Sequence, residues 1–83
     1  MTVRGSVQGV GFRYSLRERA RSRDIAGWVR NNPDGSVEAV FEGAPEAVDA
    51  LVAWCHRGPA GARVDDVSVE LEAPSGERGF RAG

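Results

Sequence analysis

The chain has 83 residues, a formal net charge of −1 and 41% hydrophobic residues, which bounds it to one small domain that buries about 60 to 65% of its unfolded surface. That size leaves room for one modest core and one shallow site, and the near-neutral charge supplies no global field for nucleic acid or an anionic membrane. Cys55 is the sole cysteine and His56 the sole histidine, which excludes an internal disulfide, a CxxC pair and a multi-ligand Cys/His zinc site.

Met1 to about Ser6 reads as a short strand that runs into GSVQGVGFR, Gly5 to Arg13. Glycines let a backbone take positive φ and bring its N–H groups close to a ligand. From about Phe12 to Arg23 a helix is predicted, with Phe12, Leu16 and Ala20 at four-residue spacing as its apolar stripe. Its first N–H groups have no intrahelical partner, and no Ser, Thr, Asp or Asn stands just before Phe12 to cap them. Arg13 lies in the first turn, against the positive end of the helix dipole, a placement unfavourable by about 0.3 to 1 kcal/mol unless an anion sits between them. The missing cap and the misplaced cation together predict a phosphate cradle. The competing reading is a tight turn followed by a solvated arginine. The segment is neither a P-loop, which ends in Gly-Lys-Ser/Thr, nor a dinucleotide GxGxxG, which would need glycine at Tyr14. All the basic side chains are arginine, and Arg17, Arg19, Arg21 and Arg23 are expected to form a solvated helix face.

Ile25 to Asn31 is a second predicted strand, followed by the turn Asn32-Pro33-Asp34-Gly35 and the alternating strand Ser36 to Glu42. The pair makes a β-hairpin, with Val37, Ala39 and Phe41 on one face. Alternation sets Val29 and Asn31 opposite Trp28 and Arg30, so Asn31 ends its strand with an amide able to project toward a neighbouring loop. Read alone, Asn31 and Asn32 before Pro33 fit turn residues better than site residues. Pro45 opens a second helix whose stripe is Val48, Leu51, Val52 and Cys55, ended by Gly58-Pro59. Cys55 in that stripe is expected to be a buried, inert thiol, and His56 to complement the helix dipole. Val67, Val69 and Leu71 alternate in a further strand, and Phe80 anchors a last short one. The order β-α-β-β-α-β predicts an α+β ferredoxin-like sandwich, one antiparallel sheet with two helices on one face. That order does not decide function.

The glycine segment, GWVRN followed by DGSVE, and the later GPAGARVDDV together resemble the acylphosphatase family, and the resemblance covers essentially the entire chain as one domain, 1–83. It implies an enzyme that hydrolyses acyl phosphates to carboxylate and inorganic phosphate with no metal or other cofactor. By match, the loop Ser6, Val7, Gln8, Gly9, Val10, Gly11 and Phe12 would hold the substrate phosphate with backbone N–H groups. Arg13 would bind that phosphate and Asn31 would position the attacking water. The chemistry agrees: an acyl phosphate is an activated anhydride, so the protein needs to supply position and charge stabilisation rather than a nucleophile.

Only Met1, Thr2, Val3 and Arg4 precede Gly5, a shorter start than the family's central first strand. Either the start is truncated or the central strand is short, and the expectation for a short strand is a loss of ladder bonds and of stability, which an N-terminal extension of alternating apolar residues would restore. No apolar run approaches the roughly 18 residues of a membrane span and no signal-peptide pattern appears, so a cytoplasmic location is expected. A monomer acting on a small-molecule acyl phosphate, without nucleic-acid or membrane partners, is the corresponding expectation. Two other readings stand beside it. One is a non-catalytic ferredoxin-like module that binds an anion or RNA, weakened by the lack of a strand-borne aromatic pair. The other is the catalytic domain of a larger carbamoyl-phosphate-handling maturation protein, a class that resembles acylphosphatases at one end.

Overall fold

The computed structural model describes residues 1–83. Its elements are β1 (Thr2–Ser6), α1 (Phe12–Ser22), β2 (Ala26–Asn31), β3 (Val37–Glu42), α2 (Pro45–Cys55), β4 (Arg63–Ser68) and β5 (Phe80–Ala82), and the sheet order is β4-β1-β3-β2-β5. This is the predicted α+β ferredoxin-like sandwich, with one addition at its edge. The four strands β4, β1, β3 and β2 pair antiparallel, whereas β5 lies parallel to β2, with Gly27 opposite Phe80 and Val29 opposite Ala82. The sheet is therefore mixed rather than antiparallel. Alternation reports which residues share a face, and it carries no information on strand direction.

The core lies between the sheet and the helices. Val3, Val29, Val37 and Ala39 from the strands meet Phe12, Leu16 and Ala20 of α1 and Leu51, Trp54 and Cys55 of α2, closed at the edge by Phe80. The α1 stripe is the predicted one. On α2 the axis is rotated: Val48 and Val52 are only partly buried, while Trp54 is 7% exposed. Its ring meets Phe12 with centroids 5.4 Å apart and planes at 50°, a tilted arrangement that suits the aromatic quadrupole.

Two strand predictions shift. β4 begins at Arg63 and ends at Ser68, paired with Thr2, so Val69 and Leu71 fall outside any strand, with Leu71 99% exposed. An alternating pattern becomes a strand only where a neighbour supplies the ladder, and β1 gives none beyond that point. β1 itself is short, meeting β3 at Thr2↔Glu38 and Val3↔Val37. The Met1 ammonium then donates to the Ala39 carbonyl at 2.9 Å, and the Ala39 N–H returns a bond to Met1 at 2.9 Å.

The β2–β3 hairpin holds full register from Ala26↔Glu42 to Asn31↔Val37. Its turn is fixed by Asn32 N–H to the Ser36 carbonyl at 2.8 Å and Gly35 N–H to the Asn32 carbonyl at 3.1 Å. Asp34 Oδ1 accepts from both the Ser36 N–H and its hydroxyl, at 2.9 and 2.6 Å. No helix is long and apolar enough to cross a membrane.

Candidate active site

The segment between β1 and α1 turns sharply enough to leave its amides without partners. Gly11 is the N-cap of α1 at φ 77° and ψ 18°, with no side-chain cap and no acidic residue in the first turn. A left-handed cap of this kind suits glycine, because a Cβ there is strained. The N–H groups of Gln8, Gly9, Val10 and Gly11 donate to no acceptor in the protein, and the first helical bond runs from Ser15 N–H to the Gly11 carbonyl at 3.0 Å. The N–H groups of Phe12, Arg13 and Tyr14 are thus left free as well. Such a row of unpaired donors at the positive end of a helix attracts an anion.

Val7, Gly9, Gly11, Phe12, Arg13, Tyr14 and Asn31 line a depression of about 140 Å³ at this point. The fold brings Arg13 and Asn31 together because β3 is shared: β1 runs antiparallel beside it toward the loop, and β2, on its other side, ends at Asn31 at the same end of the sheet. Asn31 is exposed at the end of its ladder. Trp28 and Arg30 point to the opposite face, where the Arg30 guanidinium lies 4.9 Å from the Trp28 ring centre and pairs with Glu38 at 2.9 Å. Of the residues singled out from the sequence, Ser6 ends β1 opposite Arg63, and neither it, Gln8 nor Val10 is part of the lining. Val10 packs against the core, and the Gln8 side chain turns to the β2–β3 hairpin.

Arg13 forms no ion pair with an Asp or Glu side chain. Its Nη1 instead donates to the main-chain oxygen of Gly83, a contact that sequence reasoning missed. Gly83 is held in turn by its N–H on the Val29 carbonyl at 2.8 Å, so the parallel strand β5 delivers an acceptor beside the site. No signal in the sequence marks this partner, since it follows from where β5 docks. Tyr14 was also missed as a lining residue. It is 62% exposed, with the Arg17 guanidinium 5.2 Å from its ring centre.

The arginine face of α1 is exposed at Arg19, Arg21 and Arg23, as predicted, and half-buried at Arg17, yet two of its guanidinia also find partners within the protein. Arg19 stacks over the Trp54 ring at 4.6 Å, and Arg21 reaches the Phe80 carbonyl with Nη2 at 3.0 Å and Nε at 3.3 Å, so these two clamp α1 to α2 and β5. Cys55 is fully buried, and burial pushes its thiol up to about 12; it does not line the depression. His56 is exposed at the end of α2, with Nδ1 3.1 Å from the Val52 carbonyl. A larger groove of about 480 Å³ between α2, β3 and residues 69–75 contains none of the loop amides, Arg13 or Asn31.

Comparison with known proteins adds independent findings. The acylphosphatase family model matches residues 1–82. An acylphosphatase from Trichormus variabilis is 60% identical over 78 residues, covering 94% of this chain and 77% of that protein. The crystal structure of acylphosphatase from Bacillus subtilis superposes with a TM-score of 0.93 at 38% identity, covering 99% of this chain and 92% of that one. Full-length HypF in its phosphate- and nucleotide-bound form contains a similar region, with a TM-score of 0.89 at 25% identity over 99% of this chain and 11% of that chain.

Proposed function

The chain belongs to the acylphosphatase family and hydrolyses acyl phosphates to carboxylate and inorganic phosphate, and we propose that it does so by direct attack of water on phosphorus in the depression between the glycine loop, Arg13 and Asn31. The observation that carries this assignment is the convergence of unpaired loop amides, a guanidinium with no Asp or Glu side-chain partner, and a strand-end amide on one small concave surface.

The phosphoryl group sits against the loop N–H groups from Gln8 onward, where the helix dipole adds to their attraction. Arg13 carries a fixed positive charge in a planar fork, so it binds phosphate oxygens and compensates their charge as the transition state forms. Its bond to Gly83 occupies one amino group and holds the guanidinium in place, leaving the rest of the fork for substrate. The Asn31 amide orients the water for in-line attack, its oxygen accepting from the water. An amide cannot take the proton, so the water proton passes to a phosphoryl oxygen of the substrate. As the new P–O bond forms, the bond from phosphorus to the acyl oxygen breaks and its electron pair leaves with the carboxylate. The anhydride is already activated, so position and charge stabilisation are sufficient.

Two features support a monomer in a reducing cytoplasm. They are the single buried thiol, which has no disulfide partner, and the absence of a coiled-coil seam in helices of 11 residues each. The two alternatives are disfavoured by the acylphosphatase relatives, which are 52 to 63% identical to this chain.

The deciding experiment follows benzoyl phosphate hydrolysis by ultraviolet absorbance with a metal chelator in excess, for the parent and for Arg13→Gln. Chelator-resistant turnover that the substitution abolishes is the expected result. Undiminished turnover in Arg13→Gln would remove the reaction from this loop.

A further inference from the structure

Catalysis of the proposed kind needs the phosphate held by the loop and the water held by Asn31 to keep a fixed separation, yet the two sit on segments that share little backbone. β1 pairs with β3 only at Thr2 and Val3, well before the loop begins, and Asn31 belongs to β2 on the far side of β3. Two side chains bridge the gap. Arg4 Nη1 meets Asp34 Oδ2 at 3.1 Å, but both partners are more than half exposed, at 56% and 54%. Gln8 is the other. Its Nε2 donates to the Asn32 carbonyl at 2.8 Å and to the Ser36 carbonyl at 3.0 Å, so one amide nitrogen spends both its hydrogens on the two ends of the turn that begins immediately after Asn31.

We infer that the Gln8 side chain is a positioning residue: it locks the phosphate loop to the β2–β3 turn and so sets the distance from bound phosphorus to the Asn31 water. The inference rests on the site assigned above. The bonding pattern separates this role from a general structural one. The Asn32 carbonyl also accepts from Gly35 N–H at 3.1 Å, and the Ser36 carbonyl from Asn32 N–H at 2.8 Å, so the turn keeps its own bonds when Gln8 is changed. Neither carbonyl is orphaned, and the hairpin has no need of Gln8 to form. What is lost is the tie between two catalytic elements. Gln8 does not line the depression, so its side chain has no direct contact to give the substrate. Misplacement by about 1 Å of groups that must meet in the transition state costs on the order of 100-fold in rate.

The test is a double-mutant cycle of Gln8→Leu with Asn31→Ala, reading kcat, KM for benzoyl phosphate and inhibition by inorganic phosphate. Gln8→Leu alone is expected to lower kcat by about 10- to 100-fold, with KM and phosphate inhibition within about threefold of the parent, since the loop amides and Arg13 remain. In the Asn31→Ala background there is no positioned water left to displace, so the same substitution is expected to cost less than about threefold. Gln8→Asn, which keeps an amide but is one methylene too short to reach both carbonyls, serves as the second variant should Gln8→Leu not fold, with the same pattern expected. Equal losses in both backgrounds, or a rise in KM with kcat unchanged, would overturn the positioning role. Near-parental turnover of Asn31→Ala by itself would overturn the water-positioning assignment, and the inference with it.

Discussion

Phe12 and Trp54 pack ring against ring at 5.4 Å, and through that contact the residue next to Arg13 is anchored to the second helix. The first turn of α1 is therefore held from below by core packing, while its upper side stays open to the site. Gly58, at φ 70°, passes close under the same Phe12 ring, which completes the floor.

Trp54→Ala removes a nearly buried ring and leaves a cavity beneath the loop. A loss of about 3 to 5 kcal/mol is expected, a large part of the roughly 5 to 15 kcal/mol available to a small domain. Thermal unfolding followed by circular dichroism measures it. A melting temperature within a degree of the parent would show that α2 does not support the loop through this ring.

Arg13→Gln is expected to lower turnover by about 100- to 1,000-fold, as for loss of one preorganised donor to a developing oxyanion, and Asn31→Ala by at least about 100-fold, as for loss of the group that holds the attacking water in position. They separate in binding. Arg13→Ala weakens inhibition by inorganic phosphate, whereas Asn31→Ala leaves it close to the parent, because only the arginine is assigned to phosphate. Equal effects on phosphate inhibition would contradict that division.

Gly11→Ala and Gly27→Ala contrast strain with overlap. A Cβ on Gly11 meets nothing within 4 Å, so the cost is that of positive φ, about 1 to 2 kcal/mol, and the protein should fold. A Cβ on Gly27, at φ 140°, would overlap the Val40 carbonyl oxygen in the centre of the hairpin ladder. Gly27→Ala is expected to be recovered only unfolded, and a cooperative melt near the parental temperature would refute the ladder geometry there.

Asp34 supplies a pH dependence. Hydrogen bonds from Ser36, then the bond from Arg4, hold its carboxyl at about 2 against an ordinary 3.8. A depressed carboxylate stabilises the fold above its unfolded value, and that contribution is lost as pH falls from 3.8 through about 2. Asp34→Asn should therefore flatten the fall in melting temperature across this window. An unchanged slope would assign the acid sensitivity to other carboxylates.

Cys55 should resist alkylation in the folded protein, since burial keeps the thiol protonated up to about 12. Iodoacetamide at about pH 8.5, where a free cysteine is half thiolate, is expected to label it only after denaturant is added. Mass spectrometry reads the result, and rapid labelling without denaturant would show that α2 opens.

Much of this protein was legible in the sequence by itself. The spacing of Phe12, Leu16 and Ala20 placed α1, the turn Asn32 to Gly35 placed the hairpin, and the glycine segment ending in Arg13 marked the candidate anion site, because each signal is local and depends on backbone geometry within one element or turn. Tertiary structure decided the rest. That Arg13 and Asn31 share one depression follows from the strand order, which periodicity does not encode. The parallel docking of β5, which brings Gly83 to Arg13, and the reach of Gln8 to the hairpin turn are contacts between segments distant in sequence. The rotation of α2 toward Trp54 and the end of β4 at Ser68 were set by neighbours as well: a helix buries the face its partners leave room for, and a strand extends only as far as another strand can bond it.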